Sequence, residues 1–148
     1  ATTPGPGPGP AGVPLVSGIG GLIESINPVT AADPTPPAGP FTRAVRVGDV
    51  LFLAGQIGTD ASGRLVPGGI QPETRQTLEN IRAELRRNGL GMDRVAKCTV
   101  FLADIAEWGR MNEVYAKHVG ELPPARSTVE VAKLPSGALV EIEAIALA

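Results

Sequence analysis

From Phe41 to the C-terminus, apolar residues recur at two periods, and the switches between them mark out the elements. "TRAVRV" (42–47) and "VLFLAGQ" (50–56) alternate and flank Gly48-Asp49, a pair suited to a tight turn, so a hairpin is predicted. "GTDASGRLVPGG" (58–69) reads as a loop. Pro72 suits the first position of a helix, with Glu73 beside it at the positive end of the dipole. Leu78, Ile81 and Leu85 then recur at helical spacing, Arg82, Arg86 and Arg87 fall elsewhere on the wheel, and Asn88-Gly89 closes the helix. "RVAKCTVFLA" (94–103) is a mostly buried strand. Asp104 with Glu107 resembles a capping box, and Trp108, Met111, Tyr115 and Val119 stripe a second helix that ends near Gly120. Alternating runs at 126–134 and 139–147 flank Pro135-Ser136-Gly137 and complete the chain.

The resulting order is β-β-α-β-α-β-β, with "LIESI" (22–26) a candidate for one more strand in front. It predicts an α+β domain at 19–148, two helices on one face of a mixed β-sheet. Residues 1–18, "ATTPGPGPGPAGVPLVSG", are expected to form a flexible Pro/Gly-rich tail, because they cannot bury enough surface to offset the entropy of ordering. Glycine at every second rather than every third residue excludes collagen. Two helices cover one sheet face only, so self-association is expected to bury the other.

Composition narrows the function classes. The 148-residue chain is 43% apolar with a net charge of −2, which argues against a polyanion partner and hence against nucleic acid. One cysteine, Cys98, and one histidine, His118, allow neither an internal disulfide nor a usual zinc site. No apolar run reaches the roughly 18 residues of a membrane span. A start at Ala1 fits methionine removal or a cleaved leader equally, so the compartment stays open. Cys98 reads as buried packing and His118 as a surface or C-terminal-dipole cation. Trp108 and Tyr115 read as core, with Tyr115 able to reach a cleft rim.

The last two runs carry the chemistry. Paired as a hairpin, with Leu134 facing Leu139, they place Glu143 opposite Glu130, an unfavourable like-charge pair. Arg126 and Glu141 then share a face but lie roughly 20 Å apart along the ladder, too far for one small ligand. Either the pairing differs, or the site joins an arginine of one chain to a glutamate of another.

"PPARSTVEVAKLP" followed by "VEIEAIA", with "AGQIG" (54–58) and the helical "MNEVY" (111–115), resembles the RidA/YjgF family of imine and enamine deaminases over roughly residues 20–148. That resemblance implies a chorismate-mutase-like α+β fold assembled as a homotrimer, with clefts between subunits. It implies that Arg126 forks onto the carboxylate of a 2-imino or 2-keto acid, a geometry that lysine cannot reproduce. It further implies that Glu141 positions water and relays a proton to the departing nitrogen, and that no metal or organic cofactor is needed. Asn112 adds an amide contact, and Thr128, Phe41, Ala54 and Gly55 complete the substrate-binding set. Glu143 reads as structural.

The chain departs from the family pattern at three of these positions. Phe41 stands for a tyrosine and Ala54 for a serine, so a polar wall becomes apolar; the Gly48-Asp49 hairpin sets Ala54 opposite Arg43 and Phe41 diagonally across. Thr128 stands for a cysteine whose contact runs largely through the backbone. A site that loses donors loses affinity, which leaves open a more apolar substrate, a slower enzyme, or a non-catalytic trimer that binds small carboxylic acids. Ribonuclease activity finds no support in the composition.

Overall fold

The computed structural model describes residues 26–28 and 39–148. Its order is β1 (Ile26–Pro28), β2 (Ala44–Val47), β3 (Val50–Gln56), α1 (Ile70–Arg87), β4 (Val95–Leu102), α2 (Trp108–Val119), β5 (Ala125–Glu130) and β6 (Val140–Leu147). The strands form one sheet in the order β1-β2-β3-β6-β4-β5, antiparallel except for the parallel pair β4 and β5. This is the expected mixed α+β layout. The forward strand falls at Ile26–Pro28; all of "LIESI" but Ile26 lies outside the described residues, as does the 1–18 tail.

The β2–β3 hairpin forms as its turn chemistry dictates. Gly48 takes φ 59, Val47 pairs with Val50, and the Ala54 amide donates to the Arg43 carbonyl at 2.8 Å. The first helix begins earlier than Pro72 suggests. Gly68 and Gly69, at φ 112 and 90, turn the chain so that Ile70 opens α1 and Pro72 occupies its third position. Amides of the first turn have no intrahelical partner, so the missing proline N–H costs no helical bond there.

Leu78, Ile81 and Leu85 are buried from α1, and Met111, Val114, Tyr115 and Val119 from α2, against the β-sheet positions Leu51, Leu53, Cys98, Val100, Leu102, Ile142 and Ala144. Thr74 and Thr77 are buried without penalty because their hydroxyls donate to carbonyls four residues back. Cys98, 1% exposed, is packing as expected. Trp108 is not core: its side chain is 49% exposed. His118 sits in the last turn of α2, as a C-terminal-dipole residue would, and is partly buried rather than open to the surface. It faces Val114 O through Nδ1 at 2.9 Å and Glu79 through Nε2 at 3.2 Å, tying α2 to α1.

The expected hairpin of the last two runs does not form. β5 follows β4 and α2, and a strand–helix–strand unit returns its second strand parallel beside the first. The chain then turns through Pro135–Gly137, with Ser136 at φ 58 and Gly137 at φ 73. It crosses the sheet, and β6 inserts between β3 and β4. The buried Glu73 carboxylate accepts from the Leu139 amide at 3.0 Å and pins the start of that crossing to α1. Glu130 therefore never opposes Glu143. It accepts from the Ile105 amide instead, while Glu143 pairs with Thr99.

Candidate functional site

Register decides where Arg126 and Glu141 go. Arg126 pairs with Cys98 and Cys98 with Ala144, all on the face covered by helices. Glu141 pairs with Phe101, three residues along β4 from Cys98 and so on the opposite face. Two strand spacings across and three residues along separate their backbones by roughly 14 Å. They are closer than a hairpin would hold them, yet the sheet stands between their side chains. One chain does not bring them together.

The helix-side half is built on β5 and α2. The half-buried Arg126 lies over the Tyr115 ring, its Cζ 4.6 Å from the centroid, and 5.9 Å from that of Trp108. With Asn112, Val119, Pro123 and Pro124 these residues line a hollow of about 390 Å³. Among the described residues no carboxylate pairs with the guanidinium. Two buried polar atoms nearby, Asn112 Oδ1 and Thr128 Oγ1, have no hydrogen-bond partner among the described residues, and Tyr115 Oη has only the adjacent Cys98 thiol and Arg126 beside it. Buried polar atoms are ordinarily satisfied, so these atoms beside Arg126 make the hollow a candidate binding site. Burial, and then the adjacent Cys98 thiol, push the Tyr115 phenol well above its usual range, with Arg126 opposing.

The outer half lies on β3 and β6. Glu141 folds over Gly55 so closely that a Cβ on that glycine would meet Oε1 at 2.8 Å. Burial, and then the charge of Glu143, hold the Glu141 carboxyl above the usual glutamate range. Next to it a hollow of about 430 Å³ is lined by Thr42, Val45, Phe52, Ala54, Lys97, Glu143 and Ile145. Ala54 lines this hollow; Phe41, half-exposed before β2 begins, does not. A β-bulge between Leu53 and Gln56 re-aims this stretch of β3, a common device beside active sites.

The seven sequence-derived residues thus separate into Arg126, Asn112 and Thr128 on one side and Glu141, Gly55 and Ala54 on the other, with Phe41 in neither group. Tyr115 and Trp108 are the neighbours that sequence reasoning placed in the core. Their spacing to Asn112, at i+3 and i−4 on one helix, is the signal that could have drawn them to the same face. Among the described residues, His, Cys, Asp and Glu form no group of three able to hold a metal ion.

The family model described as Endoribonuclease L-PSP matches residues 31–148. The chain belongs to this RidA/YjgF family. A RutC family protein of Pyrococcus horikoshii is 50% identical over 111 residues, 74% of this chain and 88% of that protein. The mouse 2-iminobutanoate/2-iminopropanoate deaminase is 44% identical over 110 residues, 74% of this chain and 82% of that protein. A crystal structure of E. coli TdcF with bound serine superposes with a TM-score of 0.70 at 36% identity, covering 76% of this chain and 91% of that one. RidA/YjgF relatives named as imine deaminases support a deaminase-type activity for the family.

Proposed function

We propose that this protein is a cofactor-free hydrolase of small 2-imino and 2-enamino acids, working in clefts between three copies of the chain. The observation that carries this reading is the split site: an unpaired arginine fork with orphaned acceptors on one sheet face, and a carboxyl of raised pKa on the other. A second copy presenting its Glu141 face to the Arg126 edge makes one complete site from two halves. The names of the mouse deaminase and of serine-bound TdcF point to ligands with a small amino-acid skeleton and a carboxylate.

In this reading Arg126 grips the carboxylate through two parallel N–H donors and Asn112 adds an amide contact. Protonation of the enamine carbon gives an iminium. Glu141 takes a proton from water as its oxygen adds to C2, giving a carbinolamine. Returning that proton to nitrogen breaks the C2–N bond and expels ammonia, while the hydroxyl loses its proton to solvent, replacing the one that the enamine carbon took from it, and leaves the 2-keto acid. The apolar wall around Ala54 and Phe52 suits an apolar substrate side chain. A net charge of −2 lends no support to an RNA partner, despite the family model's description.

Ammonia release from imines generated in situ by an amino-acid oxidase tests this. Wild-type protein is expected to accelerate it and Glu141→Ala to lose most of the acceleration. A wild-type rate equal to buffer, with 2-keto acids still bound, would establish the non-catalytic carboxylate binder instead. Full activity in Glu141→Ala would remove the proposed base.

A further inference from the structure

We infer that Tyr115 and Trp108 are positioning residues that clamp the Arg126 guanidinium in one plane and so set the direction from which a carboxylate docks. The ligand half of this statement rests on the reading above; the geometric half does not.

Both rings come from α2, seven residues apart and therefore on one helix face, and both lie within cation–π range of Arg126 Cζ, at 4.6 and 5.9 Å. A guanidinium covered by rings keeps its N–H donors at its edge, where a planar carboxylate can take two of them. In this proposal the rings do the holding. Asn112 Oδ1 and Thr128 Oγ1 are buried acceptors beside this arginine and remain without partners, so Arg126 does not turn to them. Removing the rings frees the guanidinium to satisfy those acceptors, and an incoming carboxylate must then compete with the protein's own oxygens. The clamp needs a neutral π face rather than a phenolate, and the upward push on the Tyr115 phenol keeps the ring neutral.

Two readouts on the full-length chain test the clamp: the Nε–Hε resonance of Arg126 by NMR and pyruvate affinity by calorimetry. Trp108→Leu, a half-exposed change, is expected to move the resonance toward that of free arginine and to weaken pyruvate binding about threefold. Tyr115→Leu is expected to weaken it about tenfold, while Tyr115→Phe, which keeps the ring, recovers binding to within about twofold of wild type. Should Tyr115→Leu fail to fold, since Tyr115 is only 5% exposed, Trp108→Leu decides alone. The proposal is overturned if Tyr115→Phe loses as much as Tyr115→Leu, because the hydroxyl and not the ring then acts. It is equally overturned if Trp108→Leu leaves the resonance unmoved, or weakens pyruvate binding by the same factor in an Arg126→Lys background. If the wild type binds no pyruvate, the imino-acid reading fails, and the NMR arm still decides the clamp.

Discussion

The two faces of the sheet carry apolar residues at the same alternation, yet their surroundings differ completely. On the helix side Leu51, Val100, Ile142 and Ala146 are wholly buried. On the outer side Phe52 and Leu147 remain 45% exposed and Val129 nearly as much. These exposed apolar residues lie on three strands, β3, β5 and β6, of the sheet face that the helices leave uncovered. The contrast separates residues that stabilise one chain from apolar residues that the chain leaves facing outward.

The largest expected effect probes that contrast directly. Ile142→Ala removes a fully buried side chain beneath α1 and is expected to cost about 2–5 kcal/mol in chemical unfolding at any protein concentration. Phe52→Ala, one strand away on the outer face, is expected to lower the unfolding midpoint mainly by weakening assembly, so its effect fades as the protein is diluted below the range in which the wild type assembles. Sedimentation of both variants checks the difference. A Phe52→Ala protein that keeps wild-type mass at every concentration would show that the outer face is not where copies meet.

Local order was legible in the sequence because local chemistry sets it. Gly48-Asp49 fixed the hairpin and its register down to Ala54 opposite Arg43, and the Leu78, Ile81, Leu85 stripe marked the buried side of α1. Long-range pairing was not legible in the same way. The runs at 126–134 and 139–147 alternate as hairpin strands do, and nothing local in them says that β6 will cross to lie between β3 and β4. The strand–helix–strand order from β4 through α2 did hold that information, since it favours a parallel β5. Trp108 misled for a related reason: helical periodicity identifies a face, and only the tertiary fold decides whether core or cleft covers it. Of the candidate site, residue types and motif carried Arg126 and Glu141; their placement on opposite faces followed from register alone.

Intermediate effects come from each half of the site. Arg126→Lys keeps the charge but loses the planar fork, and is expected to weaken 2-keto acid binding about tenfold or more, measured by calorimetry. Weakening below about twofold would mean that charge alone holds the ligand. Gly55→Ala acts on the other face. The new methyl group meets the far end of the Glu141 side chain, which can swing aside, so folding stability is expected to change by less than about 1 kcal/mol. Turnover is expected to fall at least tenfold because the carboxylate leaves its place. An unfolding midpoint that drops as far as the activity would show that the glycine serves the fold rather than the site.

The smallest effect concerns the charge next to the proposed base. Burial first, and Glu143 second, raise the Glu141 pKa, so Glu141 takes up its proton at a higher pH than an exposed glutamate does. If it works as a base, activity is lost as pH falls through that raised value. Glu143→Gln removes the lesser cause and leaves burial in place, so the acid limb of the pH–rate profile is expected to move to lower pH while the plateau keeps its height. The stability sign runs the other way. A carboxyl whose folded pKa is raised opposes folding while ionised, and that cost is relieved as pH falls through the folded pKa. Glu141→Gln is therefore expected to stabilise the chain slightly at neutral pH while turnover ends, as befits a residue kept for chemistry. A limb that stays fixed in Glu143→Gln would mean that another group controls the profile, and that the outer-face carboxyl is not the base.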